Sequence, residues 1–187
     1  HRVYETILSG KNWYRKSHSV AFGAEIVDIE IVDVNPDSSD IWLVTYGDGA
    51  WLSRNDGTDW ENKPFLPEPP DELLTSVTHT NYAAGGEEPW IFASSHGGGG
   101  SFIWDPGQDA FVLRNNGLPG SGSGNVTVDY IRAEPDEFGV LWAGTPEGLF
   151  RTDDFGMNWY ATFSLLPGKI SENSLKPETS SQIKNSQ

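Results

Sequence analysis

Three side chains capable of chemistry stand at nearly equivalent places in the sequence, about 50 residues apart. They are Asp48, His96 and Glu147, and each lies in a short glycine-containing turn between two apolar runs. If these turns come together, the three side chains line one rim of a shared pocket, with Tyr46 as a surface on which a ligand stacks. The alternative is that they are ordinary turn residues, because polar side chains commonly fill exposed turns.

Two carboxylates about 5–10 Å apart can hydrolyse a glycosidic bond, one as acid and the other as base or nucleophile. Asp48 and Glu147 are candidates for such a catalytic pair by location alone, and we assign no other catalytic residue. The sequence therefore leaves the question of an enzyme open and favours a protein without catalytic activity.

Composition excludes several other chemistries. The chain has no cysteine, which excludes disulfides, thiolate nucleophiles and cysteine-bound zinc. The four histidines have no short ligand spacing, so we expect no metal and no cofactor. A net charge of −15 disfavours nucleic acid and anionic membrane surfaces as partners.

A short turn motif recurs along the chain with a period of about 49 residues. Its form is Ser/Thr-x-Asp-x-Gly-x-x-Trp, which Thr152–Trp159 keeps in full and Ser53–Trp60 keeps with Asn in the Asp position; the copy that begins at Thr6 lacks the acid, and the copy at Asp105 is weaker. The residues that match are Thr6, Gly10 and Trp13; Ser53, Asn55, Gly57 and Trp60; Asp105 and Gly107; and Thr152, Asp154, Gly156 and Trp159. An Asp or Asn at the central position can accept hydrogen bonds from nearby N–H groups, and the glycine can adopt the positive φ of a tight turn. The motif therefore predicts a hairpin corner, which is a structural feature and not an active site.

Around each motif the apolar pattern indicates four short strands. Alternation of apolar and polar residues over Ile26–Ile31 and Val126–Ile131 is typical of half-buried strands. The predicted strands are Ile26–Val32, Ile41–Thr45, Ala50–Ser53 and Trp60–Phe65; Thr75–His79, Trp90–Ala93, Ser101–Trp104 and Ala110–Leu113; and Val126–Ile131, Val140–Ala143, Leu149–Thr152 and Trp159–Phe163. Four strands per unit at this period is typical of a β-propeller blade.

The chain resembles the Asp-box (BNR-repeat) propeller families through Ser53–Trp60 and Thr152–Trp159. It is also similar to the two-component-regulator propeller repeat through Asn116–Pro119 and Leu141–Phe150. This resemblance implies an all-β propeller fold, with ligands on the face opposite the motif turns. It implies no single activity, because these families include sialidases, xyloglucan-cleaving hydrolases, receptors, assembly factors and sensor ectodomains.

By this register the chain supplies about three and a half blades of a partial ring. We predict a half blade over residues 1–18, blades over 19–66, 67–114 and 115–164, and a polar linker or tail over 165–187. Because rings commonly need at least four blades, we expect the ring to be completed by the rest of a longer chain or by another subunit.

Our leading functional hypothesis is a non-catalytic, extracytoplasmic binding or scaffold propeller that recognises a protein or a glycan through its loop face. The alternatives are part of a xyloglucan-cleaving type of glycoside hydrolase, or a sensor ectodomain. Tyr46, Asp48, His96 and Glu147 are the predicted ligand-binding residues, and no insertion into a membrane is expected.

Overall fold

The computed structural model describes residues 2–6, 10–16, 23–35, 38–69, 73–80 and 89–164. Within these ranges every secondary-structure element is a β-strand, so the predicted all-β class is confirmed. The tail predicted for residues 165–187 lies outside them. The strands are β1 (Tyr4–Thr6), β2 (Trp13–Arg15), β3 (Glu25–Asn35), β4 (Ser38–Tyr46), β5 (Ala50–Ser53), β6 (Glu61–Lys63), β7 (Phe65–Leu66), β8 (Leu74–His79), β9 (Ile91–Ser95), β10 (Gly100–Asp105), β11 (Ala110–Leu113), β12 (Tyr130–Ala133), β13 (Leu141–Thr145), β14 (Gly148–Thr152) and β15 (Tyr160–Ser164).

These strands form three antiparallel sheets that each follow chain order from an inner to an outer strand. We call them blade 1 (β3–β6), blade 2 (β8–β11) and blade 3 (β12–β15), and we call the two-stranded sheet β1–β2 the half-blade. The short strand β7 leaves blade 1 and pairs in parallel with β11, so it adds a fifth strand to the outer edge of blade 2. The predicted four-stranded blades are therefore confirmed.

The inner strand of blade 3 is not where the alternating pattern placed it. It was predicted over Val126–Ile131 but is β12, which begins at Tyr130. Val126 and Val128 are fully buried without belonging to a strand. The Val128 N–H donates to the Ser95 carbonyl at 3.1 Å, so these valines pack the connecting segment onto blade 2. The alternation of apolar and polar residues here therefore comes from a loop whose valines are buried, not from a strand.

Apolar side chains fill the spaces between neighbouring blades. Blades 1 and 2 share an aromatic cluster in which Trp42 lies 5.0 Å from Trp104, and Phe65 stacks on Phe111 at 4.7 Å. A second cluster joins blades 2 and 3, and a smaller one around Leu43 joins blade 1 to the half-blade. Neighbouring blades therefore share apolar cores.

The alternating pattern of β3 suggests that its isoleucine face is buried, but the structure buries the face that carries the acidic side chains. Its acidic side chains, Asp28 and Glu30, are only 18% and 21% exposed, whereas Ile29 and Ile31 are 42% and 58% exposed. The acids are buried because they bond to blade 2. Asp28 Oδ2 accepts from the Val77 N–H at 3.1 Å, and Glu30 Oε1 accepts from the His79 N–H at 3.3 Å.

Blades 2 and 3 repeat this arrangement with hydroxyl groups. The Ser76 hydroxyl accepts from the Ile131 N–H at 2.8 Å, and the Thr78 hydroxyl accepts from the Ala133 N–H at 3.3 Å. An inner strand has one edge without a strand partner, and its N–H groups need acceptors when they are buried. The inner strand of the preceding blade supplies these acceptors from two side chains that lie two residues apart. We call this set of bonds the inter-blade acceptors.

We expect Ser76→Ala to lower the free energy of unfolding by about 1–3 kcal/mol, because it leaves the buried Ile131 N–H without its acceptor. Urea denaturation of the full chain measures the change. Ser101→Ala is the matched control: the Ser101 hydroxyl is also buried but has no hydrogen-bond partner among the described residues. Its removal should not lower the free energy of unfolding, because an unpaired buried hydroxyl contributes no stabilising hydrogen bond. Equal losses in both variants would contradict the role of the inter-blade acceptors.

Candidate functional site

The predicted ligand-binding residues lie on one face of the blades. Each second strand joins its third strand through a short turn on this face, and the connections between blades run along the same side. We call this side the loop face. Its turns carry Asp48 between β4 and β5, His96 between β9 and β10, and Glu147 between β13 and β14.

The Asp48 turn is held by backbone and side-chain hydrogen bonds. The Thr45 hydroxyl donates to the Gly49 carbonyl at 2.8 Å and accepts from the Asp48 N–H at 3.1 Å. The Trp51 indole N–H and the Asn62 amide both donate to the Asp48 carbonyl, at 2.9 and 3.1 Å. These bonds fix the backbone of Asp48, whose side chain is partly buried.

A cleft of about 280 Å³ opens beside this turn. Among the described residues, Asp48, Glu68, Trp51 and Asn62 line it. The remaining lining residues are Gly49, Lys63, Pro64, Phe65 and Pro69. Sequence reasoning did not identify Glu68 or Asn62. The connection after β7 brings Glu68 to the cleft, and no local pattern marks that path.

Among the described residues that line this cleft, Lys63 is the one cation, yet its side chain is only 1% exposed. Its ammonium lies 2.9 Å from both Glu61 and Asp109, and 5.3 Å from the centre of the Trp104 ring. Burial lowers the pKa of Lys63, but the hydrogen bonds and charges of the two carboxylates raise it more, so the net pKa lies above its ordinary value. Lys63 is therefore charged at neutral pH and is engaged in joining blade 1 to blade 2.

His96 forms a second polar group on the loop face. Its ring Nδ1 lies 2.8 Å from Asp129 Oδ1, and both side chains are about half exposed. The His96 N–H donates to the Leu73 carbonyl at 2.9 Å, and Leu73 also forms an isolated β-bridge with Tyr46. The structure thus brings Tyr46 and His96 to the same connecting segment. Asp129 was not predicted, because it becomes adjacent to His96 only through a contact 33 residues away in sequence.

Glu147 remains apart from these groups. It is exposed at the β13–β14 turn. Within the described parts of the chain, no hydrogen bond or ion pair joins it to Asp48. The acidic residues that line the cleft, among those that the structure describes, are instead Asp48 and Glu68. Among the described residues, no group of three His, Asp or Glu side chains is arranged to hold a metal ion.

A third polar group lies on the inner strands and was also missed. The Arg132 guanidinium donates to the Val77 carbonyl at 3.0 Å and bonds to the Tyr130 hydroxyl. It also lies 3.7 Å from Asp28 and 4.0 Å from Glu30. Arg132 therefore reaches from blade 3 across blade 2 to blade 1. Polar residues within the Ile-rich β3 were the only sequence signal for this group.

The motif turns lie at the opposite ends of the strands from the loop face. In blade 3, Asp154 Oδ1 accepts from the Asn158 N–H at 2.8 Å and from the Thr152 hydroxyl at 2.7 Å. Blade 1 has the same pattern, with Asn55 accepting from the Asp59 N–H at 2.8 Å. Gly10, Gly57 and Gly156 have φ of 84°, 77° and 77°.

Hydroxyl and indole groups hold the glycine of each of these turns. The Thr6 hydroxyl accepts from the Gly10 N–H at 3.0 Å, and the Ser53 hydroxyl accepts from the Gly57 N–H at 2.8 Å. The indoles of Trp13 and Trp60 donate to the carbonyls of those glycines, at 3.1 and 2.9 Å. Trp159 instead donates to the Arg114 carbonyl at 2.8 Å, which joins blade 3 to the connection from blade 2.

The turn of blade 2 differs from the others. Asp105 ends β10, just as Ser53 ends β5 and Thr152 ends β14, so it occupies the Ser/Thr position of the motif. Its carboxylate accepts from the Gly107 N–H at 2.8 Å. The hydrogen bond from the Gln108 side chain, followed by that from Gly107, lowers the pKa of Asp105. In sequence, Asp105 aligns with the central Asp of the motif because this turn is shorter than the turns of blades 1 and 3.

Comparison with known proteins supports the fold. No family model matches the chain, and no curated protein matches it. A solved structure titled YCF48 bound to D1 peptide is similar, with a TM-score of 0.50 and 16% identity over 83% of this chain and 44% of that one. YCF48 from Cyanidioschyzon merolae has a TM-score of 0.47 and 21% identity, over 76% and 38% of the two chains. A GH74 enzyme of Niastella koreensis has a TM-score of 0.44 and 19% identity, over 67% and 18%.

The chain thus spans less than half the length of each of these proteins. At such low identity the likeness concerns the fold and carries no activity with it. In the described part of the chain, no helix is long and apolar enough to cross a membrane. The fold is a β-propeller present as a partial ring.

The hydrogen bonds of the Asp154 turn can be tested by replacing its Asp154–Asn158 pair with the Asn–Asp pair that blade 1 has at the same positions. Burial raises the pKa of Asp154, but hydrogen bonds from Asn158 and Thr152 lower it more, so the net pKa lies below its ordinary value. The carboxylate therefore stabilises the fold at neutral pH, and this contribution disappears as pH falls through the lowered pKa. We expect Asp154→Asn to cost about 1 kcal/mol at pH 7, and progressively less below about pH 4.

Asp154→Asn combined with Asn158→Asp should recover most of that loss at pH 7. The double variant recreates blade 1, where the Asn55 amide donates to the Asp59 carboxylate at 2.9 Å. Urea unfolding at pH 7 and pH 3.5 measures both effects, with Asp153→Asn as the control for loss of an exposed carboxylate, which lies 3.9 Å from Arg151. A double variant as unstable as Asp154→Asn would show that the hydrogen-bond pattern is not what stabilises the turn.

Proposed function

We propose that this chain is a non-catalytic binding segment of a β-propeller, which holds a protein partner through the loop-face cleft. The observation that carries the proposal is the cleft beside the Asp48 turn, which is lined among the described residues by the acidic Asp48 and Glu68 and by the apolar Trp51, Pro64, Phe65 and Pro69. The partner it fits best is a polypeptide segment with a basic side chain next to an apolar one.

The charge of the cleft supports a basic ligand. The acidic residues Asp48 and Glu68 line it, while the ammonium of Lys63 is already paired with Glu61 and Asp109. The chain as a whole carries a net charge of −15, which adds a long-range attraction for cations. A Lys or Arg side chain is therefore favoured in the cleft, and a phosphate or carboxylate is disfavoured.

The walls of the cleft support a side chain with apolar parts. Trp51 is partly exposed and lines the cleft together with Pro64 and Phe65. An indole face attracts a cation and packs against the methylene groups of its side chain. A precedent for the class of ligand is the similar YCF48 structure, which is bound to a D1 peptide.

Two further assignments belong to this proposal. We propose that the motif turns are Asp-box repeats, which is supported by the hydrogen bonds of Asn55 and Asp154. We also propose an extracytoplasmic location, which rests on the resemblance to Asp-box propellers alone. Cell fractionation of the full-length protein in its source organism would test the location.

A second candidate is a carbohydrate-binding or glycoside hydrolase site. The observation that favours it is the presence of two carboxylates, Asp48 and Glu68, beside Trp51 in one cleft. Acids flanking an aromatic platform fit hydrolysis of a sugar polymer. Turnover of an oligosaccharide panel that is lost in both Asp48→Asn and Glu68→Gln would favour this candidate over the first.

Selection of a displayed 12-residue peptide library against the full chain tests the leading proposal. We expect enriched peptides to carry Lys or Arg beside an apolar residue. The double variant Asp48→Asn, Glu68→Gln should weaken their binding by about fivefold to tenfold, because two charge contacts are lost. Fluorescence anisotropy with a labelled copy of an enriched peptide measures the dissociation constants.

Glu147→Gln is the matched control, because it removes a carboxylate from the same face but outside the cleft. Its effect on binding should be less than about twofold. Peptides that bind the double variant as tightly as the parent chain would place recognition elsewhere on the protein.

A further inference from the structure

Three aromatic rings contact one another at the motif-turn ends of blades 2 and 3, opposite the loop face. Trp90 precedes β9, Phe138 lies between β12 and β13, and Phe155 lies in the motif turn of blade 3. The centre of the Phe155 ring is 5.0 Å from that of Trp90 and 4.9 Å from that of Phe138. Trp90 and Phe138 are each 39% exposed. We call these three side chains the aromatic patch.

Local contacts hold the centre of the aromatic patch in place. The Phe155 N–H donates to the Gly139 carbonyl at 3.0 Å, and Phe155 packs against the apolar core between blades 2 and 3. A Cβ atom added at Gly139 would lie 2.9 Å from the Phe155 ring, so the glycine leaves the space that this ring occupies. The patch is therefore built on two turns of blade 3 that are bonded to each other.

The backbone of Phe155 has a conformation that favours a different kind of residue. Its φ is 58°, a left-handed value at which Asn and Asp are enriched and bulky side chains are rare. Blade 1 has Asp56 at the same place in its motif turn, with a φ of 55°. Blade 3 thus carries a large aromatic ring where a small polar residue satisfies the backbone. Such a departure at a protein surface indicates a functional role for the ring.

The two turns that carry the aromatic patch are acidic. Residues 134–139 and 152–158 contain five Asp or Glu residues and no Lys or Arg. Arg151 lies 3.1 Å from Glu137, whose side chain is 61% exposed, and the side chain of Arg114 lies beside the blade 3 turn. These two cations neutralise only part of the acidic charge. The surface therefore attracts cationic groups to a set of exposed rings, which themselves favour cations at their faces.

This combination of rings and charge distinguishes between three kinds of occupant. A second copy of the chain, docked symmetrically, would bring acidic turns against acidic turns, and such a contact is repulsive. A neutral glycan would stack on the rings but would gain nothing from the excess of acidic charge. A polypeptide with basic residues beside an apolar side chain gains from both the rings and the charge.

We propose that the aromatic patch docks a polypeptide segment in which Lys or Arg residues flank an apolar side chain. The apolar side chain packs on Phe155 between Trp90 and Phe138, and the flanking cations meet the acidic turns. The patch lies at the opposite ends of the strands from the loop-face cleft, so binding there is independent of the function proposed for the cleft.

Titration of the full chain with three synthetic peptides tests this proposal. The first has a central Leu-Phe-Leu with Lys-Arg on each side, the second has the same centre with Glu-Asp on each side, and the third has the basic flanks with a central Ser-Gly-Ser. The NMR signal of the Trp90 indole N–H, assigned by its absence from Trp90→Phe, reports binding at the patch. We expect the first peptide to shift this signal, and each of the others to bind at least about fivefold more weakly.

Variants locate the binding. Phe138→Ser should weaken binding of the first peptide at least about fivefold, because it removes one ring of the patch. Leu149→Ser is the matched control: Leu149 is also 39% exposed but lies at the loop-face end of β14. Its effect should be less than about twofold. The double variant Asp48→Asn, Glu68→Gln should leave the Trp90 titration unchanged, which separates the patch from the cleft.

Several results would overturn the proposal. One is an unshifted Trp90 signal at millimolar concentration of the first peptide, and another is equal affinity for all three peptides. Binding of the first peptide to Phe138→Ser as tightly as to the parent chain is a third. A Trp90 signal that moves with protein concentration alone would assign the patch to a second copy. A shift with cellohexaose and none with the peptides would assign it to a glycan.

Discussion

The structure depends on how the unpaired edge of each inner strand is satisfied. A blade pairs its strands with one another, but its first strand has no partner on the side that faces the other blades. Buried N–H groups there would be costly without acceptors. Asp28, Glu30, Ser76 and Thr78 provide these acceptors across the blade boundaries. The same contacts set the spacing and order of the blades, and they determine which side chains can meet on the loop face.

This constraint explains why charged residues occur so close to the core. Asp28 and Glu30 are largely buried because each accepts a backbone hydrogen bond, and Arg132 approaches both from blade 3. Lys63 is buried more completely, but two carboxylates hold its ammonium. A buried charge is tolerated only when it is paired and hydrogen-bonded. Each of these groups also connects different blades, so polar contacts specify the arrangement that apolar packing stabilises.

The loop face uses the same framework for a different purpose. Its turns are rigid because their backbones are bonded internally, as at Thr45 and Asp48. The connections between blades then bring residues from distant parts of the chain to these turns, with Asp129 beside His96 and Glu68 in the cleft with Asp48. A ligand site of this kind is assembled between elements, and its acidic character follows from residues that no single turn contains.

The sequence by itself determined the all-β class, the four-stranded unit and the position of most strands, because these depend on residues near one another. A period of two and a motif such as Ser53–Trp60 act within a few residues, where local hydrogen bonds decide the conformation. Tertiary structure decided which face of β3 is buried, that Val126 and Val128 pack as a loop, and that Glu68 rather than Glu147 shares the cleft with Asp48. These outcomes depend on contacts between neighbouring blades, such as the Asp28–Val77 bond across 49 residues, and no local pattern encodes an acceptor that far away.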